Sequence, residues 1–137
     1  MSLNNVITIA GSGMSAQSVR LNTTASNIAN AENTAGNEND VYKAKQPVFS
    51  ALLTEKPESN GLNGVRVSRI VESNSPAQKR YEPGNPQADK DGYIYMSNVS
   101  LIEEMANMIS ASRSYQNNVE VMNSAKQMLM STLKLGQ

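Results

Sequence analysis

Residues 100–137 read SLIEEMANMISASRSYQNNVEVMNSAKQMLMSTLKLGQ. The opening Ser100-Leu101-Ile102-Glu103 fits a capping box, in which the serine hydroxyl accepts from the amide three residues on and the glutamate reaches back. From there a 4-3 alternation picks out Leu101, Met105, Met108, Ser112, Tyr115, Val119, Met122, Lys126, Leu129 and Leu133, with Ile102 and Ile109 widening the stripe. Only Ser112 and Lys126 in that series are neither apolar nor aromatic. Gly136 stands where a left-handed residue ends a helix. The pattern predicts one helix over 101–134, roughly 50 Å long.

A matching stripe occupies the other end of the chain, at Leu3, Ile7, Ala10, Met14, Gln17, Leu21, Thr24 and Ile28. Its local propensity is poor. Thr8 and Ile9 are β-branched, and Gly11 and Gly13 each cost about 1 kcal/mol relative to alanine inside a helix. Such a helix needs a partner stripe to persist. The pattern leaves open whether it runs unbroken through Gly11-Ser12-Gly13.

All five prolines (Pro47, Pro57, Pro76, Pro83 and Pro86) lie between these ends, so long helices belong only at the termini. Residues 32–46 are polar and Asn-rich, a loop. Residues 47–98 hold strand candidates: Val48–Leu53, Val65–Val67 before Ile70-Val71 breaks the alternation, and Tyr93–Met96 after the Asp91-Gly92 turn. The expected fold is α+β and mainly α. An N-terminal helix (1–31) pairs with a C-terminal helix (99–137) as a coiled-coil-like hairpin around a small central β module.

Composition narrows the function. Lys plus Arg and Asp plus Glu are 12 each across 137 residues, so a neutral chain gives no signal of nucleic-acid or anionic-lipid binding. There is no Cys, His or Trp, which removes thiolate nucleophiles, Cys/His metal sites and histidine triads. No basic n-region precedes the short apolar run Val6–Ala10, so a cleaved signal peptide is not expected. Gly11-Ser12-Gly13-Met14-Ser15-Ala16 fits a dinucleotide fingerprint and supplies the alternative reading, a small nucleotide-binding domain. Against it, a polar loop follows where a second strand is needed, and small residues that let helices pack closely explain the same glycines. Gln87–Gly92 imitates half a calcium loop but lacks carboxylates at its first and twelfth positions (Gln87 and Asn98), so it reads as a β-turn. Ser131-Thr132-Leu133-Lys134 matches an acyl-transfer motif without that motif's companions. No enzyme, cofactor or metal is expected.

Specific residues then carry a resemblance. Ser26-Asn27-Ile28-Ala29-Asn30-Ala31 resembles the S-N-[LI]-A-N motif of bacterial flagellar axial proteins. Tyr42–Gln46, Tyr81-Glu82-Pro83-Gly84-Asn85-Pro86, Glu104–Met108, Ser110–Tyr115 and Leu133-Lys134-Leu135-Gly136-Gln137 extend it over essentially the whole chain. The later motifs, with the inserted stretch Asn37–Val41, point to the basal-body rod proteins of the rod and hook family. The resemblance implies a structural subunit of the proximal rod, the periplasmic drive shaft, whose helical termini line the export channel. It implies export through the type III apparatus without signal cleavage. Its partners would be further copies, other rod proteins and the rod-base export-gate adaptor, with no direct lipid binding.

The interaction residues expected on this basis are Leu21, Ser26, Asn27, Ile28, Ala29, Asn30, Met105, Met108, Arg113, Tyr115, Val119, Met122, Leu129 and Leu133. Before assembly the termini are expected to be largely unfolded. Circular dichroism of the dilute chain should therefore show much less helix than the two stripes allow; a compact, fully helical monomer would remove the disorder-to-order idea.

Overall fold

The computed structural model describes residues 3–53 and 62–135. Helix α1 spans Leu3–Ala29 and helix α2 spans Leu101–Leu135, about 40 Å and 52 Å at ~1.5 Å per residue. Helix α1 is continuous through Gly11–Gly13. The serine half of the predicted cap of α2 is present: Ser100 Oγ accepts from the Glu103 amide at 3.5 Å, and the Ser100 carbonyl takes the Glu104 amide at 3.0 Å. The Gly136 terminator lies outside the described residues.

The two helices pack antiparallel. A Cβ built on Gly11 would lie 3.6 Å from Met122, one on Gly13 would lie 3.0 Å from Asn118, and Arg20 Nη2 donates to Asn107 Oδ1 at 2.9 Å. Advancing along α1 is thus retreating along α2. The buried residues of α1 are Ala10, Gly13, Ala16, Thr23, Thr24 and Asn27. On α2 the seam combines half-buried Met108, Tyr115, Met122 and Leu129 with Glu104, Ala111, Asn118 and Ala125. The first set belongs to the 4-3 alternation that begins at Leu101. The second lies one residue before the alternation's other half, of which Met105, Lys126 and Leu133 are exposed and Ser112 and Val119 half-buried. Small residues explain the choice: close approach is possible only where side chains are short, and that turns α2 toward its alanines.

The middle of the chain builds two antiparallel sheets. Strands β2 (Lys45–Leu53) and β3 (Leu62–Glu72) form a hairpin packed along α1. Val48 pairs with Arg69 and Phe49 with Val67, so Ser68 is an extra residue. This bulge is the physical cause of the broken alternation between Val67 and Ile70. The second sheet has the order β1-β5-β4, from Thr34–Ala35, Tyr93–Met96 and Gln78–Tyr81. Strands β1 and β4 were not anticipated. The first is two residues long inside a stretch read as loop, and the second is exposed at all four positions, so neither carries a hydrophobic period. Ile94 of β5 is fully buried, and Val41, Ala44 and Val99 are buried as well. Asn98 ties the region to the start of α2: its Oδ1 accepts the Ala44 amide at 2.7 Å, and its Nδ2 donates to the Ser75 carbonyl at 2.7 Å.

The hairpin meets the middle of α1 through Ser12. Its Oγ donates to the Ile9 carbonyl at 2.7 Å and accepts the Val65 amide at 3.1 Å. Neighbouring Gly64 has φ +139°, and a Cβ there would fall 2.2 Å from Ser12 Oγ. Both the backbone conformation and the space require glycine. Gly64→Ala should therefore destabilise the fold by ~1–3 kcal/mol in urea unfolding, with Ser12→Ala milder because it only unpairs the Val65 amide.

Candidate functional site: a helical interaction surface

The Ser26–Ala31 motif ends α1, and its central residue is a clamp. Asn27 is 1% exposed. Its Nδ2 donates to the Lys45 carbonyl at 2.8 Å, while its Oδ1 accepts the Lys45 amide at 2.9 Å and the Tyr42 hydroxyl at 2.9 Å. The side-chain amide pairs with Lys45 as a neighbouring strand's peptide would, fixing where β2 leaves the helix. Ser26 Oγ lies 3.2 Å from the same tyrosine hydroxyl. Asn30 Nδ2 donates to the Ser26 carbonyl at 2.8 Å, the same carbonyl that takes the Asn30 amide at 3.2 Å. Leu21, Ile28 and Asn30 are half-buried, whereas Ser26 and Ala29 are exposed. The motif therefore organises the junction, with its serine and alanine turned outward.

On α2, Met108, Tyr115, Val119, Met122 and Leu129 are half-buried, while Met105, Arg113 and Leu133 are exposed. Much of the large apolar surface has no cover in the single chain. Ile102 is 82% exposed and Leu133 67%, and Leu101, Met105, Ile109, Val121, Met128 and Met130 are also open. This is far more than scattered surface hydrophobes.

One polar feature went unread in the sequence. Arg20, Thr24, Lys45, Gln46, Glu104 and Asn107, with Pro47 and Phe49, line a cleft of ≈ 340 Å³ where both helices meet β2. Glu104, in the first turn of α2, is only 6% exposed. The contact needs Arg20 and Asn107, 87 residues apart, and no local signal announces it.

The chemical motifs resolve into structure. Gly11–Ala16 lies in mid-helix, with its amides in the intrahelical ladder, so no helix N-terminus is free to receive a pyrophosphate. Gly11 and Gly13 face α2 and Ser12 faces β3; the nucleotide-binding alternative is set aside on that ground. Asp89 Oδ1 accepts the Asp91 and Tyr93 amides at 2.9 and 2.8 Å, making the calcium-like stretch a turn, which Gly92 closes at φ +80°. In the Glu-Pro-Gly-Asn-Pro loop, a hydrogen bond from Asn85, aided by adjacent Arg80, holds the Glu82 carboxyl below its ordinary pKa. Among the described residues no helix is long and apolar enough to cross a membrane.

Comparison with known proteins agrees with this arrangement. Residues 7–36 match the family described as flagella basal body rod protein. Residues 90–135 match the C-terminal family of flagellar basal body rod FlgEFG proteins. The two matched segments are essentially α1 with its clamp and α2 with its cap, the paired ends of a rod-class protein. Over all of both chains, the protein is 48% identical to the flagellar basal-body rod protein FlgC of Salmonella typhimurium. It is likewise 49% identical to that of Escherichia coli O157:H7 and 50% to that of Yersinia enterocolitica. The chain belongs to the FlgC family.

Asn27→Ala should lower stability by about 1–3 kcal/mol, since it strands the Lys45 amide and carbonyl. Hydrogen exchange at Lys45 would rise, with α2 near Ala125 little affected.

Proposed function

We propose that the protein is a structural subunit of the flagellar basal-body rod, assembling with further copies and with other rod proteins through its two helices. The observation that carries this is the uncovered apolar surface of α2, where Leu101, Ile102, Met105 and Ile109 stand open on a helix whose α1-facing side buries Glu104, Ala111 and Ala125. A lone chain keeps that surface in water at about 25 cal/mol per Å², so association is favourable wherever a complementary face exists. In this reading the helical pair forms the inner layer of a periplasmic shaft bounding the export channel, and the β sheets sit outside it.

The finer parts of the proposal concern delivery and neighbours. The chain reaches the rod through the type III export apparatus without signal cleavage and docks on the adaptor at the rod base. Helix α1 suits that route. With two glycines, β-branched residues and no acid in its first turn, it is weak in isolation and gains order from α2 and the hairpin. The proposed role is architectural and needs no catalytic group.

The test separates folding from assembly. Ile109 is 56% exposed, so Ile109→Asp should leave helix content and unfolding midpoint close to those of the unaltered chain. It should abolish incorporation into basal bodies and swimming in cells lacking their own FlgC. Normal swimming by that variant would remove this face from the assembly.

A further inference from the structure

The cleft where both helices meet β2 holds polar groups that the chain itself leaves unanswered. Glu104 is 6% exposed and Thr24 3%, and both form part of its wall. Among the described residues neither side chain has a hydrogen-bond or ion-pair partner. Arg20, across the cleft, spends one guanidinium N–H of its five on Asn107 and has no carboxylate beside it. Lys45 Nζ stands 5.6 Å from the centre of the Tyr42 ring, also without an acid. At ≈ 340 Å³ the space is at the small end for a binding site, suited to one or two side chains. An unpaired carboxyl withdrawn from water is costly, so Glu104 favours an occupant that brings a cation. A cation alone would meet Arg20 and Lys45, and an acid alone would meet Glu104. The fitting occupant carries both signs side by side.

The chain displays such a group on its own surface. Among the described residues, Asp89-Lys90-Asp91 is the one run in which opposite charges are adjacent. Asp89 is committed to the Asp91 and Tyr93 amides, and the Gly92 amide closes the turn on the Asp89 carbonyl at 3.0 Å. That leaves Lys90 and Asp91 exposed at a fixed corner, with no partner for either side chain among the described residues. The other exposed charged loop, Asn37–Asp40, brings only Glu38 and Asp40 and would set acid against Glu104. From this, and resting on the rod reading above, we infer that the Lys90-Asp91 corner of one copy seats in the Arg20–Glu104 cleft of another. Lys90 then meets Glu104 and Asp91 meets Arg20, two charge-assisted contacts. Corner and cleft are different surfaces, so each copy offers one and receives the other. A contact of that heterologous kind passes from copy to copy instead of ending at a pair.

The chain contains no cysteine, so introduced thiols report the contact alone. Gln46 is an exposed residue of the cleft wall, and Asp91→Cys leaves the Lys90–Glu104 contact in place. Gln46→Cys with Asp91→Cys, expressed in cells lacking their own FlgC, should give disulfide-linked copies in oxidised basal bodies. Neither variant alone should cross-link, and a mixture of the two should. Lys90→Glu sets an acid against Glu104 and should cut incorporation roughly tenfold or more. Because Lys90 is exposed, the purified Lys90→Glu chain should keep its helix content and unfolding midpoint. Basal bodies whose double-variant subunits stay unlinked would mean that the cleft holds water only and would overturn the contact. So would a disulfide formed within one chain, a single variant that cross-links, or normal incorporation of Lys90→Glu. In each of those cases rods still form and the rod reading stands. Failure of the unaltered chain to enter the rod would overturn both.

Discussion

The structure depends on how narrow the contact between its two helices is. Ala10, Gly13 and Ala16 on one side and Ala111 and Ala125 on the other let the backbones come close, and the larger residues Met108, Tyr115 and Met122 close the flanks. A seam that tight occupies only one side of each helix. Side chains a helix-width away cannot reach it, so Ile102, Met105 and Ile109 are left over by geometry, whatever their hydrophobicity. The same constraint that makes the hairpin specific makes it incomplete.

The fold was legible in the sequence where the pattern is long and local. Both helices, the cap at Ser100 and the two principal strands of the middle follow from spacing and punctuation. What escaped was decided by partners distant in the chain. Strand β4 exists because Tyr93–Met96 pairs with it, and β1 exists because the same strand has a second edge. The alternation beginning at Leu101 gave half of the α1-facing seam correctly. It placed Met105 and Lys126 where the structure buries Glu104 and Ala125, because a hydrophobic count passes over Glu104 whereas close packing favours short side chains.

The candidate site was legible in part for similar reasons. The Ser26–Ala31 motif stood out through its resemblance, which made Asn27 a candidate interaction residue; its partners, Lys45 and Tyr42, could be found only in three dimensions. Gly11-Ser12-Gly13 shows the opposite case, a pattern that invites a chemical reading. The glycines give space to α2 and the serine holds β3. Three consecutive residues thus serve two neighbours on different sides of one helix.

That division has a mechanical consequence. The β2–β3 hairpin is joined to α1 at Ser12 and again, through Lys45, at Asn27, fifteen residues or about 22 Å further along. A body fastened at a single spot is free to swivel about it; one fastened at two separated spots is not. Torque applied to the β2–β3 hairpin is therefore passed to the helix as a couple acting across that lever arm.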